Sequence, residues 1–171
     1  MESQMEPQEN ISSKNETVAL ANKFITFKLA DEEYGFEILR VREIIGLMDI
    51  TRVPQTDPAV KGVINLRGKV NPVVDLRLVF GMSETVPTDQ TVIVIVQLDL
   101  ANQQKNMGVL VDRVLEVLNV DSADIEPPPD MGDFESTSRD FIMGVAKVGK
   151  RVVFLLDIAR VLSRDSEPIE S

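Results

Sequence analysis

The sequence has no cysteine, no histidine and no tryptophan among its 171 residues. Without cysteine there are no disulfides or thiolate metal sites, and without histidine the commonest general base and zinc ligand are missing. No apolar run reaches the roughly 18 residues needed to span a membrane, and the acidic, polar N-terminus is unlike a signal peptide. We therefore expect a soluble, cytoplasmic protein with no metal, no cofactor and no inserted membrane segment.

The formal charge of −10 is unevenly distributed along the chain. Residues 1–23 and 163–171 each carry −2, and residues 121–135 contain six acids and no base, which gives −6. The remainder sums to zero, and no stripe of lysine and arginine is present, so nucleic-acid binding is disfavoured. For the acidic segment we favour a solvated connection over a docking element.

The stretch from Gly62 to Arg77 organises the rest of the chain. Residues 62–66 and 69–74 are rich in β-branched side chains and flank Arg67-Gly68, which predicts a tight hairpin with a positive φ at the glycine. Asp75 follows as a plausible N-cap of a short helical turn. Such a hairpin would hold the Arg67 cation away from a rigid scaffold.

The pattern of the first half of the chain is repeated in the second half. Residues 34–45 align without a gap with residues 107–118, and residues 62–80 align with residues 144–162. Each half has about five predicted strands and would be marginally stable alone. We therefore predict an all-β fold of two five-stranded barrels, related by internal duplication and sharing a core.

The predicted organisation is one module between two tails. Residues 1–23 are polar and are predicted to be disordered. Residues 24–162 form the module, with one barrel at about 24–85 and the other at about 88–162. Residues 163–171 are a C-terminal tail.

No pattern in the sequence indicates catalysis. The acids form no repeated, closely spaced set, and the glycines follow no phosphate-loop spacing. Asp75 and Asp157 occupy duplicated positions, which favours helix capping over chemistry. Binding in a groove between the barrels is a better hypothesis than catalysis, although the residues alone favour an ordinary solvated position for Glu43 and Arg67.

At these same residues, from 24 to 162, the chain resembles the CheW family of bacterial chemotaxis coupling proteins. The resemblance is carried by segments 31–38, 41–44, 50–54, 60–68 and 70–77 in the first half, and by 108–114 and 124–125 in the second. This combination is far more specific than a single short motif.

The resemblance implies two SH3-like five-stranded barrels and a non-catalytic adaptor. Such adaptors couple the cytoplasmic hairpin tip of methyl-accepting chemoreceptors to the C-terminal regulatory domain of the histidine kinase CheA, and other CheW-like domains can join them in arrays that control flagellar motility. The family's receptor contacts fall here on Val41, Glu43, Arg67, Gly108 and Val117. For the kinase or ring contact we consider Phe141, with a core aromatic as the alternative.

Three alternatives remain at this point. The nearest is a CheW-like adaptor of a non-flagellar chemosensory system, which its partners would identify. A small-barrel nucleic-acid binder is disfavoured by the acidic composition and the single tyrosine. An enzyme is the least favoured class.

Overall fold

Short β-branched runs separated by turns produce a fold built mainly from strands, which confirms the all-β prediction. A computed structural model describes residues 22–100, 102–128 and 141–166 of the chain. The strands and helices in these ranges are β1 (Lys23–Leu29), β2 (Glu32–Glu37), β3 (Val41–Gly46), β4 (Val60–Leu66), β5 (Lys69–Asp75), α1 (Leu76–Val79), β6 (Val92–Leu100), β7 (Gln103–Val111), β8 (Arg113–Asn119), β9 (Ile142–Val148), β10 (Arg151–Leu156) and α2 (Ile158–Ser166).

The strands form two five-stranded sheets with matching topology. The first sheet has the order β8-β1-β2-β10-β9, and the second sheet has the order β3-β6-β7-β5-β4. Adding five to each strand number of the first sheet, with β1 following β10, gives the strand order of the second sheet. The match confirms the internal duplication, and it assigns each residue of one sheet a counterpart in the other.

The predicted division into barrels at about 24–85 and 88–162 is wrong. The second sheet is one continuous stretch from β3 to β7, whereas the first sheet combines β1 and β2 with β8, β9 and β10. The parallel pairs β2–β10 and β5–β7 join strands from different halves of the duplication. Each half therefore gives two strands to one sheet and three to the other, and neither half contains a complete sheet.

The predicted module ends do not all match the described structure. Residues 1–23 are predicted to be disordered, but residues 1–21 lie outside the described residues. Strand β1 begins at Lys23, one residue before the predicted start of the module. At the other end α2 continues to Ser166, four residues beyond the predicted end of the module. The acidic segment is described up to residue 128, where it includes a 3-10 turn at Ser122–Asp124.

A backbone bridge joins the two edges of each sheet. Thr51 and Val63 exchange two hydrogen bonds of 2.8 Å, and Glu126 and Val145 exchange two of 2.9 and 2.8 Å. A Cβ atom on Gly62 would overlap the carbonyl of Thr51, so this duplicated glycine is required by the close approach of two backbone segments. The bridges bring the edge strands together and close each sheet.

The largest cluster of buried side chains is shared between the sheets. It includes Phe27 and Phe36 of the first sheet and Val94 and Val109 of the second, all with no exposed surface. Each sheet also has a smaller cluster of its own, with Val153 in the first. Because most of the apolar burial involves both sheets, we expect them to be stable only together, as the sequence predicted.

A second link between the sheets is polar. Asp112 connects β7 to β8, and its carboxylate accepts hydrogen bonds from Arg77 Nε and Nη2 at 2.8 and 2.6 Å and from the Ala30 N–H at 2.9 Å. Burial would raise the pKa of Asp112, but these hydrogen bonds and the charge of Arg77 together lower it. The hydrogen bonds between the two side chains have the opposite effect on the partner and raise the pKa of Arg77. The pair ties α1 of the second sheet to the β1–β2 turn of the first.

The short helices begin at the duplicated aspartates. Asp75 Oδ1 accepts a 2.9 Å hydrogen bond from the Arg77 N–H, which confirms its predicted capping role. Asp157 Oδ1 accepts a 3.3 Å hydrogen bond from the Arg160 N–H at the start of α2. Asp75 is buried, and this burial raises its pKa, although the Arg77 N–H and the charge of Lys61 oppose the change. Both aspartates therefore have a structural role.

Candidate functional site

A polar depression of about 320 Å³ lies on the second sheet. Strand β3, the β4–β5 hairpin, β6 and β7 all contribute to it. A larger depression of about 510 Å³ lies on the first sheet, but it contains none of the residues predicted to bind a partner. The lining of the smaller one is Arg42, Glu43, Leu66, Arg67, Lys69, Asn71, Ile95 and Asn106.

Two of the predicted receptor-binding residues meet at this depression. Glu43 and Arg67 form an ion pair although they are 24 positions apart in the sequence. The turn places Arg67 here, because Arg67 and Gly68 both have positive φ, at 52° and 85°, which is the geometry of a tight two-residue hairpin. The Arg67 side chain is 71% exposed, so its outer face stays accessible to a partner.

The other predicted receptor-binding residues lie in different environments. Val41 begins β3 and is half-buried against the shared cluster. Gly108 is buried in β7 opposite Ile95, and a Cβ atom there would lie 2.8 Å from the Ile93 Cγ2 atom. Gly108 is therefore required for packing beneath the depression and has no side chain to offer a partner.

Val117 lies apart from the depression. It is on β8 of the first sheet, where it pairs with Ile25, and it is 49% exposed. The fold thus brings Glu43 and Arg67 together on the second sheet and leaves Val117 on the first.

The position of Phe141 contradicts its predicted role as a contact for the kinase or for a ring neighbour. Phe141 is only 5% exposed, belongs to the shared cluster and packs against the Phe80 ring with a centroid distance of 6.1 Å. Its backbone carbonyl also accepts a hydrogen bond from the Asp157 N–H. The core-aromatic alternative is therefore the correct one, since the side chain has almost no surface to present.

Four polar residues of the depression were not among the site residues predicted from the sequence, namely Arg42, Lys69, Asn71 and Asn106. Asn71 is the one of these that is buried, with 8% of its surface exposed. A signal for it was available, because the alignment of residues 62–80 with 144–162 places Asn71 opposite a valine. A buried polar residue where its repeat has an apolar one is informative, because burial of an amide carries a cost.

The lining of the depression has more basic than acidic side chains. Arg42 and Lys69 form no ion pair with any residue that the structure describes. In residues 22–100, 102–128 and 141–166, no three acidic side chains are grouped so that they could hold a metal ion. The described helices are also too short or too polar to cross a membrane. Unpaired cations beside a rigid hairpin favour recognition of a partner's surface.

Two interlocked five-stranded sheets, each closed by a backbone bridge and one of them carrying a charged depression, place the chain in the class of small β-barrel proteins. A family model described as a CheW-like domain matches residues 23–166, which is most of the chain. The chain belongs to the CheW-like domain family, whose members are chemotaxis scaffold and adaptor proteins.

Individual relatives support the same assignment. The chain is 34% identical over 146 residues to the "Chemotaxis protein CheW" of Klebsiella aerogenes, covering 85% of this chain and 84% of that protein. It is 38% identical over 140 residues to the protein of the same name from Rhizobium meliloti, covering 81% and 86%. A crystal structure of the scaffolding protein TtCheW from Thermoanaerobacter tengcongensis superposes with a TM-score of 0.73 at 32% identity, covering 86% and 92%.

Proposed function

We propose that this protein is a non-catalytic chemotaxis adaptor that couples methyl-accepting chemoreceptors to the histidine kinase CheA in signalling arrays. In this role it works in the cytoplasm, at the inner face of the membrane, where receptor tips and kinase meet. It holds the C-terminal regulatory domain of CheA and the receptor hairpin tip in a defined geometry. A change in the receptor then alters the kinase through this geometry, while the adaptor itself performs no chemistry.

The observation that carries the proposal is the meeting of Glu43 and Arg67. These are two of the positions that the family resemblance assigns to the receptor, and the fold brings them together at one depression. A helical receptor tip would pack against this face of the second sheet, and the exposed ion pair would contact polar groups on the helix. Such charged groups fix orientation and exclude wrong partners more than they add affinity.

A three-component binding titration tests the proposal. The full chain would be titrated with a receptor cytoplasmic fragment and with a CheA regulatory domain, each alone and then together. We expect the wild-type protein to bind both partners. We expect Arg67→Glu to lower receptor affinity about tenfold or more while leaving kinase affinity unchanged, because it places like charges beside Glu43.

Two further variants control this measurement. Arg113→Glu makes the same charge change at an exposed position on β8 and should leave receptor affinity unchanged. The double variant Glu43→Arg with Arg67→Glu restores an ion pair with reversed polarity, so it should recover stability without recovering receptor affinity. If the wild-type protein binds neither partner, the adaptor role is wrong for this chain.

The titration also addresses the non-flagellar alternative. An adaptor of such a system would use the same surface with a different receptor and a different kinase. Binding to partners from a non-flagellar chemosensory system, in preference to flagellar ones, would favour that alternative.

A further inference from the structure

The internal duplication supplies a control for every residue of the depression. The parallel ladders align the two sheets, because Val73 pairs with Gly108 in the second sheet where Leu155 pairs with Gly35 in the first. Counting along these paired strands gives, for each residue of the second sheet, the residue at the matching position of the first sheet. They are Asn71 and Val153, Lys69 and Arg151, Asn106 and Glu33, and Glu43 and Glu116.

Within the part of the chain that the structure describes, the buried side chain of Asn71 has no hydrogen-bond partner. It is 8% exposed, it lines the depression, and its amide group makes no hydrogen bond to any residue that the structure describes. A buried amide left unpaired destabilises a fold. Its counterpart Val153 has no exposed surface and packs in the small core of the first sheet. A valine therefore fits this backbone position, and packing alone gives no reason for an asparagine.

The charged groups around Asn71 also differ from their counterparts in the first sheet. There, Arg151 lies 3.1 Å from a carboxylate oxygen of Glu33 and 3.1 Å from one of Glu116, so its charge is balanced within the sheet. In the second sheet the counterpart cation, Lys69, has neither contact. Asn106 stands where Glu33 would be, and Glu43 is paired with Arg67 instead.

The second sheet therefore has a cation and a buried amide, and it lacks the carboxylate that completes the corresponding group in the first sheet. We propose that an acidic side chain of the receptor supplies this carboxylate, bound by Lys69, by the Asn71 amide and, at the rim, by Arg42. This proposal rests on the proposed function and names the chemistry of the group recognised. Asn71 sets specificity, since a hydrogen bond from a buried amide to a carboxylate is both strong and directional.

The first test replaces Asn71 by the residue found in the other sheet. Asn71→Val should lower affinity for the receptor fragment roughly tenfold while the melting temperature stays the same or rises, because an unpaired buried amide is removed. Kinase affinity should not change. A purely structural asparagine would give the opposite result, with a lower melting temperature and no specific loss of receptor binding.

The second test installs the missing carboxylate within the chain. Asn106→Glu should pair with Lys69, as Glu33 pairs with Arg151, and should lower receptor affinity roughly tenfold by occupying the site. Asn106→Gln introduces a side chain as long as that of glutamate but without a charge, and it should retain wild-type affinity. Both variants lie on the surface of β7, so neither should unfold the protein.

The outcomes separate this inference from the proposed function. If the wild-type protein fails to bind the receptor fragment, the adaptor role is wrong and the inference falls with it. If the wild-type protein binds, but Asn71→Val and Asn106→Glu bind equally well, the carboxylate site is wrong while the adaptor role stands. Loss of receptor binding in both variants, with kinase binding and folding intact, supports the inference.

Discussion

The first and second sheets have the same ladders but treat their polar side chains differently. In the first sheet Arg151 is balanced by two carboxylates, and Thr26 satisfies the backbone of a neighbouring strand. In the second sheet Lys69 has no carboxylate among the described residues, and Ile95 stands in the place of Thr26. The first sheet balances its cation internally, whereas the second sheet leaves Lys69 without an ion pair among the described residues.

This difference shows which features of the duplication the backbone requires. Gly62 and Gly144 lie against a bridging segment in each sheet, and Asp75 and Asp157 begin a helix in each. These matched residues serve the fold. Unmatched residues at matched positions are not needed for the common backbone, so they indicate where the two sheets have separate roles.

The largest effect should come from a glycine that the bridge requires. Gly62→Ala places a Cβ against the Thr51 carbonyl in a backbone with φ of 146°, so the bridge must break. We expect a loss of about 3 kcal/mol or more in the free energy of unfolding. Chemical denaturation of each variant measures it.

Two other glycines calibrate this prediction. Gly144→Ala, at the counterpart position, should also destabilise, since its Cβ would lie 2.7 Å from the Glu126 carbonyl oxygen. Gly68→Ala meets no atom within 4 Å and should cost only about 1 kcal/mol, for its positive φ. Equal costs for Gly62→Ala and Gly68→Ala would show that the bridge does not matter.

An intermediate effect is expected at Thr26. It is 1% exposed, and its hydroxyl donates to the Glu116 carbonyl at 2.9 Å and accepts from the Glu116 N–H at 3.1 Å, where the β1–β8 ladder has a bulge. Thr26→Val keeps the shape and leaves both backbone groups unpaired, so unfolding free energy should fall by about 2 kcal/mol. Ile95→Val, at the counterpart position, should cost about 1 kcal/mol for one methylene. A loss at Thr26 no larger than that at Ile95 would contradict the role of the hydroxyl.

A smaller effect, with a defined pH dependence, is expected at Asp112. The Arg77–Asp112 pair is mostly buried, with side-chain exposures of 16% and 24%, and the counterpart positions Leu39 and Ala159 have no charged side chains. Because the pKa of Asp112 is lowered by folding, its stabilisation is present above the unfolded pKa of about 3.9 and is lost as the pH falls through the lower folded value. Asp112→Asn should therefore cost about 1 kcal/mol near neutral pH and progressively less in acid.

Urea denaturation at a series of pH values measures this difference between the wild-type protein and Asp112→Asn. The pKa of Asp75 is raised mainly by burial, which both proteins share; the smaller repulsion from the Asp112 charge is absent in Asp112→Asn. A difference in stability that does not narrow below about pH 4 would mean that the Asp112 charge is not the source of the stabilisation.

Much of the local structure could be predicted from the sequence. The hairpin at Arg67-Gly68 and the cap at Asp75 follow from the conformational freedom of glycine and the hydrogen-bonding of a short acidic side chain. The duplication could be read from aligned glycines and aspartates. The pairing partner of each strand could not be predicted, because both halves contain equally suitable β-branched strands. Only the packing of the whole core distinguishes pairing within a half from pairing between halves.

The same limit applies to the candidate site. Glu43 and Arg67 could be named from the resemblance, but solvated and functional arginines look alike in a sequence, and their contact depends on a long-range ladder. Phe141 shows the converse error, since an aromatic near a hairpin fits a surface contact as well as a core until its burial is known.

By itself, the sequence determined the all-β class, the duplication, the turns and caps, and membership of the CheW-like family. These depend on backbone conformation and on patterns within short stretches of chain. Only the tertiary structure decided that the halves exchange strands, that Asn71 is buried without a hydrogen-bond partner among the described residues, and that Lys69 lacks the carboxylates that balance Arg151 there. The physical reason is that burial and charge pairing are properties of residues brought together from distant parts of the chain, and no single stretch contains them.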